Sequence, residues 1–173
     1  MYSGPKVTLE QVLNSREARV ARQNAWLESY SLPLVSFTIN MMVEVKRNRI
    51  SQQAFDQGCL AILETCQSHD FSLHKVQRFE LDTGFELLAC VGVESARSLK
   101  EAMVTIEDTH PLGRLFDIDV LDNQGRGLSR EILGLARRKC LLCDAEAKVC
   151  ARSRAHHLDQ LKDKMCEMIN DSV

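Results

Sequence analysis

The sequence predicts one α+β domain over residues 1–173, built on a ferredoxin-like, split βαβ sheet, with a helix in front and a cysteine-containing segment plus a helix behind. Three observations predict it. Apolar residues switch between alternation and helical spacing in the order strand, helix, strand, strand, helix, strand across residues 34–122. The middle two strands are separated only by Asp82-Thr83-Gly84, a turn of hairpin length. A chain of 173 residues with 45% hydrophobic content is long enough to close one core and too short for two catalytic domains.

Thr8 is placed to cap a first helix, whose apolar positions Leu9, Val12, Leu13, Val20, Trp26 and Leu27 alternate with Arg16, Glu17, Arg19 and Arg22 up to about Leu32-Pro33. Leu34 to Ile39 alternates and is rich in branched and aromatic residues, the signature of a strand. After the basic turn Lys46-Arg47-Asn48-Arg49, Ser51 can cap a second helix with Ala54, Phe55, Cys59, Ile62, Leu63 and Cys66 at helical spacing. Strands follow at 72–81 and 85–93, then a third helix from Ser95 carrying Leu99, Ala102, Met103 and Ile106 and ending before His110-Pro111. Arg114 to Leu121 reads as the fourth strand, stopped by Asp122-Asn123-Gln124-Gly125. A final helix over 155–169 places Leu158, Leu161, Met165, Met168 and Ile169 on one side.

The formal charge of −2 and pI near 6.2 give no global attraction to nucleic acid or membranes. Locally, eight basic residues against three acidic ones between Arg126 and Arg154 suggest a dock for an anionic partner. No apolar run reaches the roughly eighteen residues of a membrane span, and MYSGPKVTLEQ lacks a signal-peptide pattern, so a cytoplasmic location is expected. Seven cysteines in a reducing compartment point to thiols or metal ligands rather than disulfides.

Two groups of residues carry candidate chemistry. Asp117 and Asp119, two apart on a strand, share a face while Phe116, Ile118 and Val120 turn to the core. Paired like charges do not stabilise a sheet, but they suit a Mg²⁺ ion that shares its remaining positions with water and phosphate oxygens. Arg114 can hold further phosphate oxygens, and His110, within ten residues, can assist proton transfer. The simpler reading is a solvent-facing strand end with a turn histidine before it. Glu107, Asp108 and Asp122 are possible additional carboxylates. The second group is Cys140, Cys143, Cys150 and His156, spaced Cys-x₂-Cys-x₆-Cys-x₅-His within the candidate zinc-binding segment 137–157. Four N/S ligands make a closed, structural Zn²⁺ site, with His157 a rival for the fourth position.

HPLGRLFDIDVL, RRKCLLC and CARSRAHHL, with the early SREARVARQ and LVSFTIN, together resemble the apo-citrate lyase phosphoribosyl-dephospho-CoA transferases, or citrate lyase holo-acyl-carrier-protein synthases, from about Leu9 to Asn170. The resemblance implies a nucleotidyltransferase-type enzyme that moves the 2'-(5''-triphosphoribosyl)-3'-dephospho-CoA group to a serine of the acyl-carrier (gamma) subunit of citrate lyase, releasing pyrophosphate. It implies that Asp117 and Asp119 bind metal and that Arg114 contacts phosphate. Arg16 and Arg19 match the early motif and Lys46 a family lysine, all three as candidate cofactor-binding residues. The chain departs from the family in carrying Met41-Met42-Val43-Glu44-Val45 where members commonly have Pro-Gly-Pro before that lysine.

Two other classes compete. A zinc-stabilised RNA-binding module would need stacking aromatics, yet aromatic residues are only 5% of the chain. A non-catalytic citrate lyase assembly factor would bind the carrier subunit without modifying it.

Overall fold

The computed structural model describes residues 1–172. Its elements are α1 (Leu9–Tyr30), β1 (Leu34–Ile39), α2 (Arg49–Ser68), β2 (Ser72–Leu81), β3 (Gly84–Gly92), α3 (Ala96–Thr109), a 3-10 turn (Gly113–Leu115), β4 (Phe116–Leu121), α4 (Ala147–Ser153) and α5 (Leu158–Asp171). The four strands form one antiparallel sheet in the order β2-β3-β1-β4, the arrangement of the predicted α+β fold.

Alternation along each strand divides the sheet into two faces. Val35, Phe37, Leu87, Ala89, Ile118 and Val120 point into a core completed by Phe55 and Ile62 of α2, Leu99 and Met103 of α3, and Met165 and Ile169 of α5. Phe37 stacks on Phe55 at 5.4 Å and meets Phe116 edge-on at 5.3 Å, so the aromatic residues are spent on packing. The opposite face carries Ser36, Thr38, Glu86, Asp117 and Asp119, and α1 lies across it. A small cluster of Trp26, Leu34, Leu88 and Cys90 pins one end of α1 to that face.

α1 inverts the orientation expected from its apolar residues. Leu9, Leu13 and Val20 are exposed, at 74%, 46% and 53%, whereas the side toward the sheet carries Arg19, Arg22, Gln23 and Trp26. The cause is the buried carboxylate of Glu86. Arg19 donates to Glu86 Oε1 from Nε at 3.0 Å and Nη2 at 2.8 Å, Arg22 pairs with Oε2, and Gln23 donates to Ser36 Oγ at 3.1 Å.

Four local boundaries also differ from the sequence reading. Asn48, not Ser51, caps α2, because its side chain accepts the Ser51 amide at 2.9 Å while Ser51 Oγ accepts the Asn48 amide at 3.0 Å, a reciprocal capping box. β3 begins at Gly84, whose φ of 127° favours a glycine, so only Asp82 and Thr83 form the loop. β4 begins at Phe116, since Gly113 to Leu115 is a 3-10 turn held against the end of α3; a Cβ on Gly113 would lie 2.3 Å from the Glu107 carbonyl oxygen. The tail contains α4 before α5 rather than one helix from 155, with Arg154 in the left-handed conformation ending α4.

β4 is an edge strand, and side chains close its outer edge. Lys100 Nζ donates to the Ile118 carbonyl at 2.9 Å, and the Ile118 amide donates to Glu107 Oε2 at 3.0 Å. Arg138 donates to the carbonyls of Phe116 at 2.6 Å and Gly113 at 2.8 Å. Much of the basic segment is therefore structural: Arg126 pairs with Asp122, Arg130 with Glu107 and Asp108, and Arg137 with Glu131 and Glu146. Among the described residues Lys139, Lys148, Arg152 and Arg154 form no ion pair, so the cationic surface is about half of what the sequence count suggests.

Candidate active site

Three strands align the polar face. Thr38 at the end of β1 stands opposite Glu86 on β3 and Asp117 on β4, and Ser36 stands opposite Asp119. Asp117 and Asp119 both reach solvent from the same side of β4. Crowding by surrounding protein, with the neighbouring Asp117 charge adding to it, pushes the Asp119 carboxyl up to about 6; Lys100 and Arg19 pull the other way. A group so raised gains from any positive charge brought beside it.

Asp117 borders a cavity of about 320 Å³ between α1 and the sheet, lined also by Arg16, Arg19, Lys46, Thr38 and Asn40. Three residues picked from the sequence as anion contacts therefore converge on one space with the first aspartate. Lys46 is presented by the Met41 to Val45 loop, where Met41, Val43 and Val45 are buried and Lys46 Nζ donates to the Met41 carbonyl at 2.5 Å. Burial, and then the nearby Arg16, lower its pKa. The loop takes its shape from buried apolar side chains and from a bridge between Val45 and Lys6, so it holds this lysine without a Pro-Gly-Pro turn.

Asp117 and Asn40 also border a second cavity of about 390 Å³ beyond the edge of β4, lined by Arg114, Lys139, Leu141 and Lys148. Arg114 Nη2 donates to the carbonyls of Lys139 and Cys140, so it straps the cysteine segment to the entrance of β4. His110 stands apart from the aspartates. Its Nδ1 accepts the Leu112 amide at 3.0 Å, its ring packs 4.9 Å from Phe116, and it lines a surface depression between α2 and α3. Burial lowers its pKa, as expected for a neutral turn residue.

Of the possible additional carboxylates, Glu107 and Asp108 are paired with Arg130, and Asp122 accepts the amides of Gln124 and Arg126 in its own turn. Glu86, in line with Asp117, escaped the sequence reading. Its signal was a lone carboxylate in the otherwise apolar strand Phe85 to Val91, matched by Arg19 and Arg22 three apart on a helix.

The cysteine segment folds as a tight knuckle. Cys140 and Ala145 close it through a 2.7 Å backbone bond, and the Leu142 amide points at Cys140 Sγ from 3.4 Å. α4 then supplies Cys150, and the chain turns at Arg154 to return His156. Ligand atoms of Cys140, Cys143, Cys150 and His156 all lie within 4.8 Å of one another, a set able to hold a metal ion such as zinc. Among the described residues His156 Nε2 is buried with no hydrogen-bond partner, as a metal-binding atom would be. The rival His157 is instead the exposed N-cap of α5.

Comparison with known proteins bears on the same features. The family model for apo-citrate lyase phosphoribosyl-dephospho-CoA transferase matches residues 7–172, which include α1, the aspartate strand and the cysteine segment. A probable apo-citrate lyase phosphoribosyl-dephospho-CoA transferase of Vibrio cholerae serotype O1 is 46% identical over 165 residues, covering 95% of this chain and 93% of its own. An apo-citrate lyase phosphoribosyl-dephospho-CoA transferase of Escherichia coli O1:K1 is 37% identical over 165 residues, covering 95% of this chain and 90% of its own. A match from before α1 to the end of α5 takes in both candidate sites, and with identity at this level the chain belongs to the apo-citrate lyase phosphoribosyl-dephospho-CoA transferase family.

Proposed function

We propose that this chain, acting as one transferase domain, attaches the phosphoribosyl-dephospho-CoA group to apo-citrate lyase. The donor is 2'-(5''-triphosphoribosyl)-3'-dephospho-CoA and the acceptor is a serine of the acyl-carrier subunit. The serine oxygen bonds to the α-phosphorus, the bond from that phosphorus to the departing diphosphate breaks, and the serine proton passes to solvent. The observation that carries this reading is the convergence of Asp117 with Arg16, Arg19 and Lys46 on one cavity beside an open strand face. Such a reaction needs positive charge around phosphates that gain negative charge as the bond breaks, and little else from the protein.

Asp117 and Asp119 would hold a Mg²⁺ ion, whose chemistry is to neutralise phosphate charge. The raised pKa of Asp119 beside Asp117 fits that role. Arg16, Arg19 and Lys46 orient the triphosphate, and the Glu86 carboxylate keeps Arg19 aimed across the sheet. Cys140, Cys143, Cys150 and His156 would hold a structural Zn²⁺ that fixes the knuckle against β4. Among the described residues no helix is long and apolar enough to cross a membrane, and a cytoplasmic site of action accords with the proposed substrates. An RNA-binding role finds little support in a sheet face that carries Glu86, Asp117 and Asp119 rather than aromatic residues.

Mass spectrometry of the apo acyl-carrier subunit, incubated with this protein, Mg²⁺ and the donor, tests the proposal. Wild type adds the mass of the phosphoribosyl-dephospho-CoA group, whereas Asp117→Asn and Asp119→Asn abolish the gain with the fold intact. Carrier binding without any mass gain by wild type would instead favour the assembly-factor reading.

A further inference from the structure

We propose that three adjoining cavities form one trough that holds the donor end to end, a reading that rests on the transfer reaction above. The cavity between α1 and the sheet, with Arg16, Arg19 and Lys46, shares Asp117 and Asn40 with the cavity beyond β4. That second cavity shares Met42, Leu141 and Ala147 with a third of about 600 Å³ against α4 and α5, where Leu158 and Leu161 form an apolar wall facing Cys140, Cys150 and His156 of the knuckle. Along this line the first two cavities are rich in basic side chains, Arg16, Arg19 and Lys46 against Glu86 and Asp117 in the first and a larger basic surplus in the second. Among the described residues the third has Arg154 as its one Lys or Arg side chain amid mostly apolar residues.

The donor changes in the same order. It runs from a triphosphate through a ribose to the adenosine diphosphate portion of dephospho-CoA, and ends in the neutral pantetheine arm. Scission occurs at the α-phosphorus, with diphosphate on one side and the ribosyl-dephospho-CoA body on the other. Asp117, at the junction of the first two cavities, fits the scissile position. In the middle cavity most charges are already matched: Arg130 and Arg138 face Glu107, Arg137 faces Glu131 and Glu146, and Lys100 binds a carbonyl. Arg114 is taken up by the carbonyls of Lys139 and Cys140, so among the described residues Lys139 and Lys148 remain, two ammonium groups with no carboxylate partner beside the apolar Met42 and Leu141, a setting for the internal diphosphate of dephospho-CoA.

Isothermal titration calorimetry with two fragments, tripolyphosphate and 3'-dephospho-CoA, reads the two halves without turnover. Replacing both lysines (Lys139→Ala with Lys148→Ala) weakens dephospho-CoA about tenfold while leaving tripolyphosphate within about twofold, and Arg16→Ala does the reverse. Both side chains of the lysine pair are exposed, so the fold is kept. Equal weakening of both fragments by either variant means one shared anion site and overturns the trough. Loss of carrier-subunit binding in the lysine pair, with dephospho-CoA unaffected, makes the middle cavity a protein dock and overturns it too, as does failure of wild type to bind dephospho-CoA. A mass gain that persists beside any of these results sinks only the trough, whereas absent mass gain beside separated fragment sites sinks only the transfer reading.

Discussion

The Glu107 carboxylate accepts the backbone amide of Ile118 at 3.0 Å, on the free edge of the strand that carries both aspartates. The same side chain is 4% exposed and paired with Arg130 at 2.9 Å, so a residue of α3 fixes β4 and the basic segment at once. Removing it leaves the Ile118 amide unpaired and Arg130, a nearly buried guanidinium, with Asp108 as its one carboxylate among the described residues. Glu107→Ala is expected to lower unfolding free energy by about 3–5 kcal/mol in urea titrations, and Glu107→Gln by less. A loss below about 1 kcal/mol in the alanine variant would mean that the edge is held by other groups.

Asp119 makes the opposite prediction. Its pKa is raised in the folded protein to about 6, above the value near 3.8 of a free side chain, so between those values the folded state binds more protons than the unfolded one. The stability linked to this group is thus full below about pH 4 and lost as pH rises through 6. Asp119→Asn removes that loss. It should stabilise the protein at pH 7.5 by about 1 kcal/mol, after allowance for screening of an exposed side chain, while abolishing transfer. Unfolding curves at pH 4, 6 and 7.5 check this; an unchanged slope with pH would contradict the assigned shift.

The knuckle predicts its metal. Protein purified without chelator should carry about one zinc per chain by elemental analysis, and His156→Ala should lose it while His157→Ala keeps it. Stripping the ion should lower stability by at least about 3 kcal/mol, because a tightly held ion favours only the folded state. Metal-free protein of unchanged stability would refute a structural site.

Arg114 and His110 separate positioning from chemistry. Arg114→Ala frees the carbonyls of Lys139 and Cys140, and zinc loss to a chelator should quicken by about tenfold. His110→Ala should leave the transfer rate within about twofold and its pH profile unmoved, because the ring serves a turn away from both cavities on Asp117. A displaced profile would restore His110 as a proton carrier.

Lys46→Ala should raise the donor KM about tenfold with a smaller change in kcat, as removal of a contact made equally in the bound and transition states does. Steady-state kinetics at saturating carrier subunit measure it. A fall in kcat at constant KM would place Lys46 at the reacting phosphate instead.

The strands, their order and the pairing of Asp117 with Asp119 were legible because strand alternation is a local property, set by neighbours two residues apart. The four metal-ligand candidates were legible for the same reason, since all fall within one short stretch. The cap of α2 and the start of β4 were not, because Asn48 and Ser51 are both good caps and Gly113 owes its turn to contact with α3.

Local chemistry in the sequence by itself determined the fold class, the face shared by the aspartates and the Cys-x₂-Cys spacing. Only the tertiary structure decided that α1 turns its arginines inward, that Glu86 receives them, and that Lys46 and Arg16 border the cavity of Asp117. Arg19 and Glu86 are 67 residues apart, and their meeting depends on strand order and helix placement. Burying a carboxylate makes two arginines better neighbours than leucines, a reversal of hydrophobic patterning that no reading of one helix alone contains.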